Sequence, residues 1–125
     1  MRPTQRVTGI GGVFLRGRDH EALRAWYERN LGIPLAEWGG HVFEAMPGTS
    51  TVWSIFAGDT DYWPVEQQVM VNYRVDDLDA ALRHLREAGS AVAPSVDEDE
   101  NYGRFAWAED PEGNRFELWE PAPGR

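Results

Sequence analysis

The sequence predicts an α+β chain in which one unit, βαβββ, is written twice. Three observations carry the prediction. Apolar, β-branched runs and amphipathic helical segments follow one another in the same order in both halves. VFLRGRD at 13–19 aligns with VNYRVDD at 71–77, pairing Val13 with Val71, Arg16 with Arg74 and Asp19 with Asp77. The chain has 125 residues, 42% of them hydrophobic and six of them Trp, the size and composition of one globular domain. A chain of this length buries roughly two-thirds of its unfolded surface, enough for a real core.

Module one spans about 7–57. Val7 to Leu15 is apolar and β-branched and reads as a strand. Asp19 is placed to cap a helix whose Leu23, Trp26, Tyr27 and Leu31 recur at helical spacing, and Gly32 with Pro34 closes it. Leu35–Trp38 and His41–Met46 read as two strands joined by Gly39-Gly40, and Thr51–Phe56 as a third. A polar, aromatic segment at 58–68, GDTDYWPVEQQ, reads as a linker.

Module two, about 69–121, repeats the order. Val69–Val75 is a strand. Asp77 caps a helix with Leu78, Ala81, Leu82, Leu85 and Ala88 on one face and Gly89 as its stop. Ala91–Val96 and Phe105–Ala108 read as strands on either side of an acidic run, DEDE at 97–100, read as a solvated loop. Asp110-Pro111-Glu112-Gly113 suits a type I turn, with Asp at its first position, Pro at its second and Gly at its fourth. Asn114–Glu120 is the last strand.

Composition excludes several classes of function. The net charge of −9 argues against nucleic acid and anionic membranes, which need clustered Lys and Arg. Without Cys there is no disulfide, no thiolate metal site and no Cys nucleophile, which fits a cytoplasmic protein. No stretch reaches the roughly 20 apolar residues of a membrane span. GIGG at 9–12 lies inside a strand pattern, so it is not a phosphate loop.

The last strand raises the functional question. In DPEGNRFELWEP, Phe116 and Leu118 share one face while Glu117 and Trp119 share the other. A carboxylate there is a solvated outer-face group, half of a structural ion pair, or a ligand aimed into a cavity.

Three segments resemble the vicinal oxygen chelate superfamily of glyoxalase I, bleomycin-resistance proteins and extradiol dioxygenases. They are GIGGVFLRGRDHEALRAWYERNLG, VMVNYRVDDLDAALRHLREAG and YGRFAWAEDPEGNRFELWEP. The resemblance implies two βαβββ modules whose mixed sheet curls around a cavity, and a homodimer. In metal-dependent members, it implies a divalent ion held by four strand residues. Glu117 stands at one of those positions, and the resemblance turns its face toward the cavity. The other three positions hold Gly12, Trp53 or Ser54, and Met70. Gly offers no ligand, Trp only a donor, and a thioether suits soft metals. The expectation is therefore no metal and no other cofactor.

His41 is the one His expected to face the cavity; His20 and His84 fall on helix surfaces. Trp38, Trp53, Trp107 and Trp119 lie on predicted strands, and Tyr62 and Trp63 in the linker. Trp53, Met70, Trp107, Glu117, Trp119 and His41 form the expected ligand-binding set, with Glu117 as the candidate acid or base. The sequence-based expectation is a protein that holds a small aromatic or cationic organic molecule in an aromatic-lined cavity. Two alternatives stay open. One is an enzyme of the lyase, isomerase or dioxygenase type using a divalent metal or Glu117; the other is an accessory domain without ligand.

Overall fold

The computed structural model describes residues 13, 15, 17–49, 51–52 and 57–123. The strands expected at 7–15 and 51–56 fall largely outside the described residues. Within them the order is α1 (His20–Leu31), β1 (Asn72–Arg74), α2 (Leu78–Glu87), β2 (Asp97–Asp99), β3 (Gly103–Glu109) and β4 (Arg115–Pro121). The second βαβββ unit is therefore present in the predicted order.

Both helices begin as the sequence predicts. Asp19 accepts from the Ala22 backbone N–H at 3.1 Å, and Asp77 from that of Ala80 at 3.0 Å. The two aspartates paired by the internal alignment thus do the same work, each cap contributing about 1 kcal/mol. Gly32 ends α1 in the left-handed conformation at φ 65°, its N–H returning to the Glu28 and Tyr27 carbonyls. Glu120 gives α2 a second cap, accepting from the Leu78 N–H at 2.9 Å.

The sheet is open, mixed and four-stranded, in the order β1-β4-β3-β2. β1 runs parallel to β4, whereas β4–β3 and β3–β2 are antiparallel. Alternation along the strands divides it into two faces. Ala106, Ala108, Phe116 and Leu118 turn to the helices and join Leu23, Trp26 and Tyr27 of α1 and Leu78, Leu82 and Leu85 of α2 in the core. Phe105, Trp107, Glu117 and Trp119 occupy the opposite face, Trp107 in register with Glu117 and Phe105 with Trp119. Among the described residues, no helix is long and apolar enough to cross a membrane.

Three strand expectations are corrected. Residues 35–38 and 41–46 carry no ladder among the described residues, because a strand exists only through its hydrogen-bonded partners. Instead, Ala36 and Gly40 close a turn, the Ala36 N–H meeting the Gly40 carbonyl at 3.0 Å. The strand at 91–96 shrinks to a bridge between Val92 and Ala108. Pro94, without an N–H, interrupts the ladder, and the register against β3 has shifted by two residues when pairing resumes at Asp97. The acidic run, expected to be a loop, supplies β2. Arg104 makes this tolerable: it lies opposite Glu98 in the ladder, bonds it at 3.2 Å, and also grips Asp79 on α2.

The β3–β4 turn ties the sheet to α1. The Gly113 N–H donates to the Asp110 carbonyl at 3.0 Å, as a type I turn requires. The buried Asp110 carboxylate accepts from the Glu112 N–H, the Asn114 N–H, the Asn114 amide and the Tyr27 hydroxyl at 2.8–3.0 Å. Asp110→Ala would orphan the Tyr27 hydroxyl and two turn donors. It should cost about 3 kcal/mol, read as a lower urea midpoint at unchanged slope. A loss below about 1 kcal/mol would show that the turn holds without this carboxylate.

Glu112, next in the turn, reaches the start of α1. It accepts from the backbone N–H groups of Arg18 at 2.8 Å and Asp19 at 3.0 Å, and from the Arg18 guanidinium at 3.3 Å. The Arg18 and Asp19 backbone donors hold its carboxyl below the ordinary value of 4.5. A depressed carboxyl contributes stability that is complete above that value and is lost as pH falls toward the depressed one. Glu112→Gln should therefore flatten the fall in stability between about pH 5 and pH 3. Parallel urea curves for the two proteins at each pH would sink this assignment.

Candidate functional site

Glu117 sits at the centre of β4, between Asn72 on β1 and Trp107 on β3. Its side chain is only 6% exposed. A carboxylate taken out of water needs donors on its oxygens, and it has them. The Asn72 amide donates to Oε1 at 2.6 Å, and the Tyr62 hydroxyl donates to Oε2. Asn72 is placed by the parallel pairing of β1 with β4.

Tyr62 comes from the segment read as a linker. That segment is pinned to the head of β4 by Gln67, whose amide spans the backbone of Arg115. Its Nε2 donates to the Arg115 carbonyl at 2.7 Å and its Oε1 accepts from the Arg115 N–H at 2.8 Å. The Trp63 indole in turn donates to the Gln67 carbonyl at 2.8 Å. The turn held this way lays the Tyr62 ring edge-on against Trp107, centroids 5.4 Å apart.

Burial first, and then the bond to Glu117, push the Tyr62 phenol well above its ordinary range. At neutral pH it is therefore a hydroxyl donor and not a phenolate. The Trp107 indole N–H opposes the shift from close by, but without the geometry of a hydrogen bond. Among the described residues, that buried N–H has no acceptor, and neither has the Arg115 Nε.

The rest of the face is aromatic and cationic. Trp119 is stacked parallel to Phe105 at 5.9 Å, the Arg74 guanidinium lies 5.0 Å from its ring, and its indole donates to the Tyr102 carbonyl at 2.7 Å. The Arg115 guanidinium lies 5.6 Å from the Trp107 ring. Glu117 is thus flanked by two Arg–Trp pairs.

Of the expected residues, the structure brings Trp107, Glu117 and Trp119 together on one face. Met70 is half-buried just before β1. His41 is exposed, edge-on to Phe43 at 4.8 Å, and no described contact joins it to Glu117. Gly12, Trp53 and Ser54 lie outside the described residues. Sequence reading missed Tyr62 and Asn72 as site residues. The β1 register could have signalled Asn72, which lies opposite Glu117; nothing local marked Tyr62, whose bond spans 55 positions.

The donor set does not suit a divalent ion. An ion at Glu117 would meet the hydrogens of Tyr62 and Asn72 on both oxygens. Among the described residues, no group of three or more His, Asp or Glu is arranged to hold a metal. A hollow of about 370 Å³ lies between the helices at Trp26, Asn30 and His84, away from this chemistry.

Residues 12–119 match the family model of the glyoxalase-like domain. Over 88 residues, 70% of its length, the chain is 31% identical to the proteins named "Putative glyoxylase CFP32" of Mycobacterium bovis and Mycobacterium tuberculosis. It spans about 28% of the length of those relatives. Among solved structures it is similar to TnmS3, an antibiotic binding protein from Streptomyces sp. CB03234. The identity is 26% and the TM-score 0.50, with 83% of this chain and 88% of that one covered. A member of the glyoxalase/bleomycin resistance protein/dioxygenase superfamily from Sphaerobacter thermophilus aligns at 21% identity and TM-score 0.48, over 81% of this chain and 87% of its own.

The Tyr62–Glu117 bond has a measurable signature. A raised phenol contributes stability that is complete below the ordinary value of 10.0 and is lost as pH climbs toward the raised one. Tyr62→Phe should cost about 2 kcal/mol at neutral pH, as loss of a hydrogen bond to a charged group does, and remove one late-ionising phenol from an alkaline absorbance titration. If instead the variant loses a phenol that ionises in the ordinary range, the hydroxyl is not held as described.

Proposed function

Since the chain belongs to the glyoxalase-like domain family of the vicinal oxygen chelate superfamily, we propose that it is a metal-free binding protein for a small, planar aromatic molecule. The molecule would lie on the face formed by Trp107, Trp119 and Phe105. The carrying observation is Glu117: its two oxygens are taken up by the Tyr62 and Asn72 donors, between two tryptophans. A site that meets both oxygens of its carboxylate with hydrogen-bond donors is arranged for recognition, not for coordination. The similarity to an antibiotic binding protein supports the same reading.

Arg74 and Arg115 favour an aromatic over a cationic ligand. Both guanidiniums already lie over the indoles a cation would seek, and they would repel it. A neutral or electron-poor ring that stacks beside them is favoured. An enzyme using Glu117 as acid or base is the second reading. Its support is the direct Tyr62–Glu117 bond, which could relay a proton.

The deciding experiment joins metal analysis to binding. Protein purified without chelator should carry no stoichiometric Zn, Ni, Mn or Fe, in wild type or in Glu117→Gln. Planar aromatic compounds should raise the melting temperature of the wild type, by about 2.7 kcal/mol of added stability at a hundred times Kd. Trp119→Leu should lose that rise. A stoichiometric metal that disappears in Glu117→Gln would overturn the reading and make the protein an enzyme candidate.

A further inference from the structure

The group that fills the space over Glu117 is itself a small aromatic molecule: the Tyr62 side chain. It stands edge-on to Trp107 at 5.4 Å and gives its hydroxyl to Glu117 Oε2. It is carried by a turn of the segment between the modules, not by a strand of the sheet. Beside it lies the Trp107 N–H, buried and with no acceptor among the described residues, in a tryptophan only 6% exposed. A donor left orphaned costs free energy, and a group that accepts from it recovers that cost.

We propose that Tyr62 is an internal stand-in for the ligand, and that the site takes a phenol. The phenol hydroxyl would donate to Glu117 and its oxygen would accept from Trp107 once Tyr62 has swung out. This deepens the proposed function, and it rests on the aromatic face around Glu117 being a binding site. The argument is complementarity. The pair left when Tyr62 leaves is one carboxylate acceptor beside one indole donor. A hydroxyl on an aromatic ring satisfies both, whereas an ether or a carbonyl cannot donate and an unsubstituted ring can do neither. Tyr62 also sets the affinity, because any ligand must first displace it. The apparent constant is weakened by the fraction of molecules in which the site is open.

The anchor points show how Tyr62 could leave without unfolding. Gln67 holds the far end of the segment to Arg115, whereas the Tyr62 ring meets the sheet at Trp107 and Glu117. Rotation of one side chain, or of the turn at 58–63, frees the site while the Gln67 tie persists.

The test uses 4-methylphenol, the tyrosine side chain as a free molecule, with toluene as the control lacking the hydroxyl. Binding is followed by tryptophan fluorescence and calorimetry on the full chain. Removing a buried side chain can leave a space that binds a small aromatic molecule. Tyr62→Ala should therefore bind 4-methylphenol about tenfold or more tighter than wild type does, a hydrogen bond to a charged group being worth at least that factor. It should also prefer 4-methylphenol to toluene by a similar factor. Tyr62→Phe, which keeps the ring but loses the bond to Glu117, should fall between wild type and Tyr62→Ala. Tyr62→Ala/Glu117→Gln, which trades a charged acceptor for a neutral one, should narrow the preference for the hydroxyl. If Tyr62→Ala does not fold, Tyr62→Val takes its place with the same expectation.

Equal binding of 4-methylphenol and toluene by Tyr62→Ala would overturn phenol recognition. Equal binding of 4-methylphenol by wild type and Tyr62→Ala would overturn the stand-in role. In either case the broader reading survives if wild type still binds a planar aromatic compound through Trp119. That reading falls separately, if no planar aromatic compound binds wild type or Tyr62→Ala.

Discussion

The fold hangs on one buried carboxylate, Asp110. It is 5% exposed, yet its four hydrogen bonds reach the turn backbone at Glu112 and Asn114, the Asn114 side chain and the Tyr27 hydroxyl on α1. A charge this deep is stable only when its acceptor sites are met. The same bonds fix where the chain reverses between β3 and β4. The reversal sets the register in which Trp107 lies opposite Glu117, and a slip of one residue would turn Glu117 into the core and Leu118 outward. The position of the site carboxylate is thus settled seven residues upstream, by the turn carboxylate.

Two buried carboxylates then divide the strand pair between structure and recognition. Asp110 is closed off by its own turn and by α1, so it has nothing left to offer a ligand. Glu117 is met by one donor from the sheet, Asn72, and one from a segment between the modules, Tyr62. Asn72 is carried by a strand paired directly with β4, which keeps it beside Glu117. Tyr62 is carried by a segment outside the sheet. The asymmetry between a fixed donor and a removable one makes Glu117 the place where the fold can exchange an internal partner for an external one.

Much of this architecture was legible in the sequence because it is local. Asp19 and Asp77 announce their helices by cap chemistry, DPEG announces its turn, and the alternation of FELWEP separates core from site face. What was not legible depends on distant partners. DEDE has the composition of a loop, and becomes a strand because Arg104 lies across from Glu98 and also grips Asp79. Tyr62 sits in a segment with every mark of a linker. Its role appears only when Gln67 ties that segment to Arg115. Of the residues expected from family position the structure places Glu117 in the site, where Trp107 and Trp119, expected from the strand pattern, join it. The difference is that position marks where a ligand to metal would stand, while geometry shows which donors meet the carboxylate.

Those donors bear on what Glu117 can do. An ionised carboxylate has about four acceptor sites, so two hydrogen bonds leave room for a third partner. As a general base, however, Glu117 would need an oxygen free of donors and turned to the substrate, and each of its oxygens already accepts a hydrogen bond. Tyr62 does not supply the missing base, because its phenol is pushed above the range in which it could ionise at neutral pH. A donor that stays protonated and a carboxylate that already accepts on both oxygens favour holding a hydroxyl in place over removing its proton. Proton transfer would need the Tyr62 bond broken and its place taken by a more acidic group. The same displacement admits a ligand, so binding is the step on which any chemistry at this site would have to build.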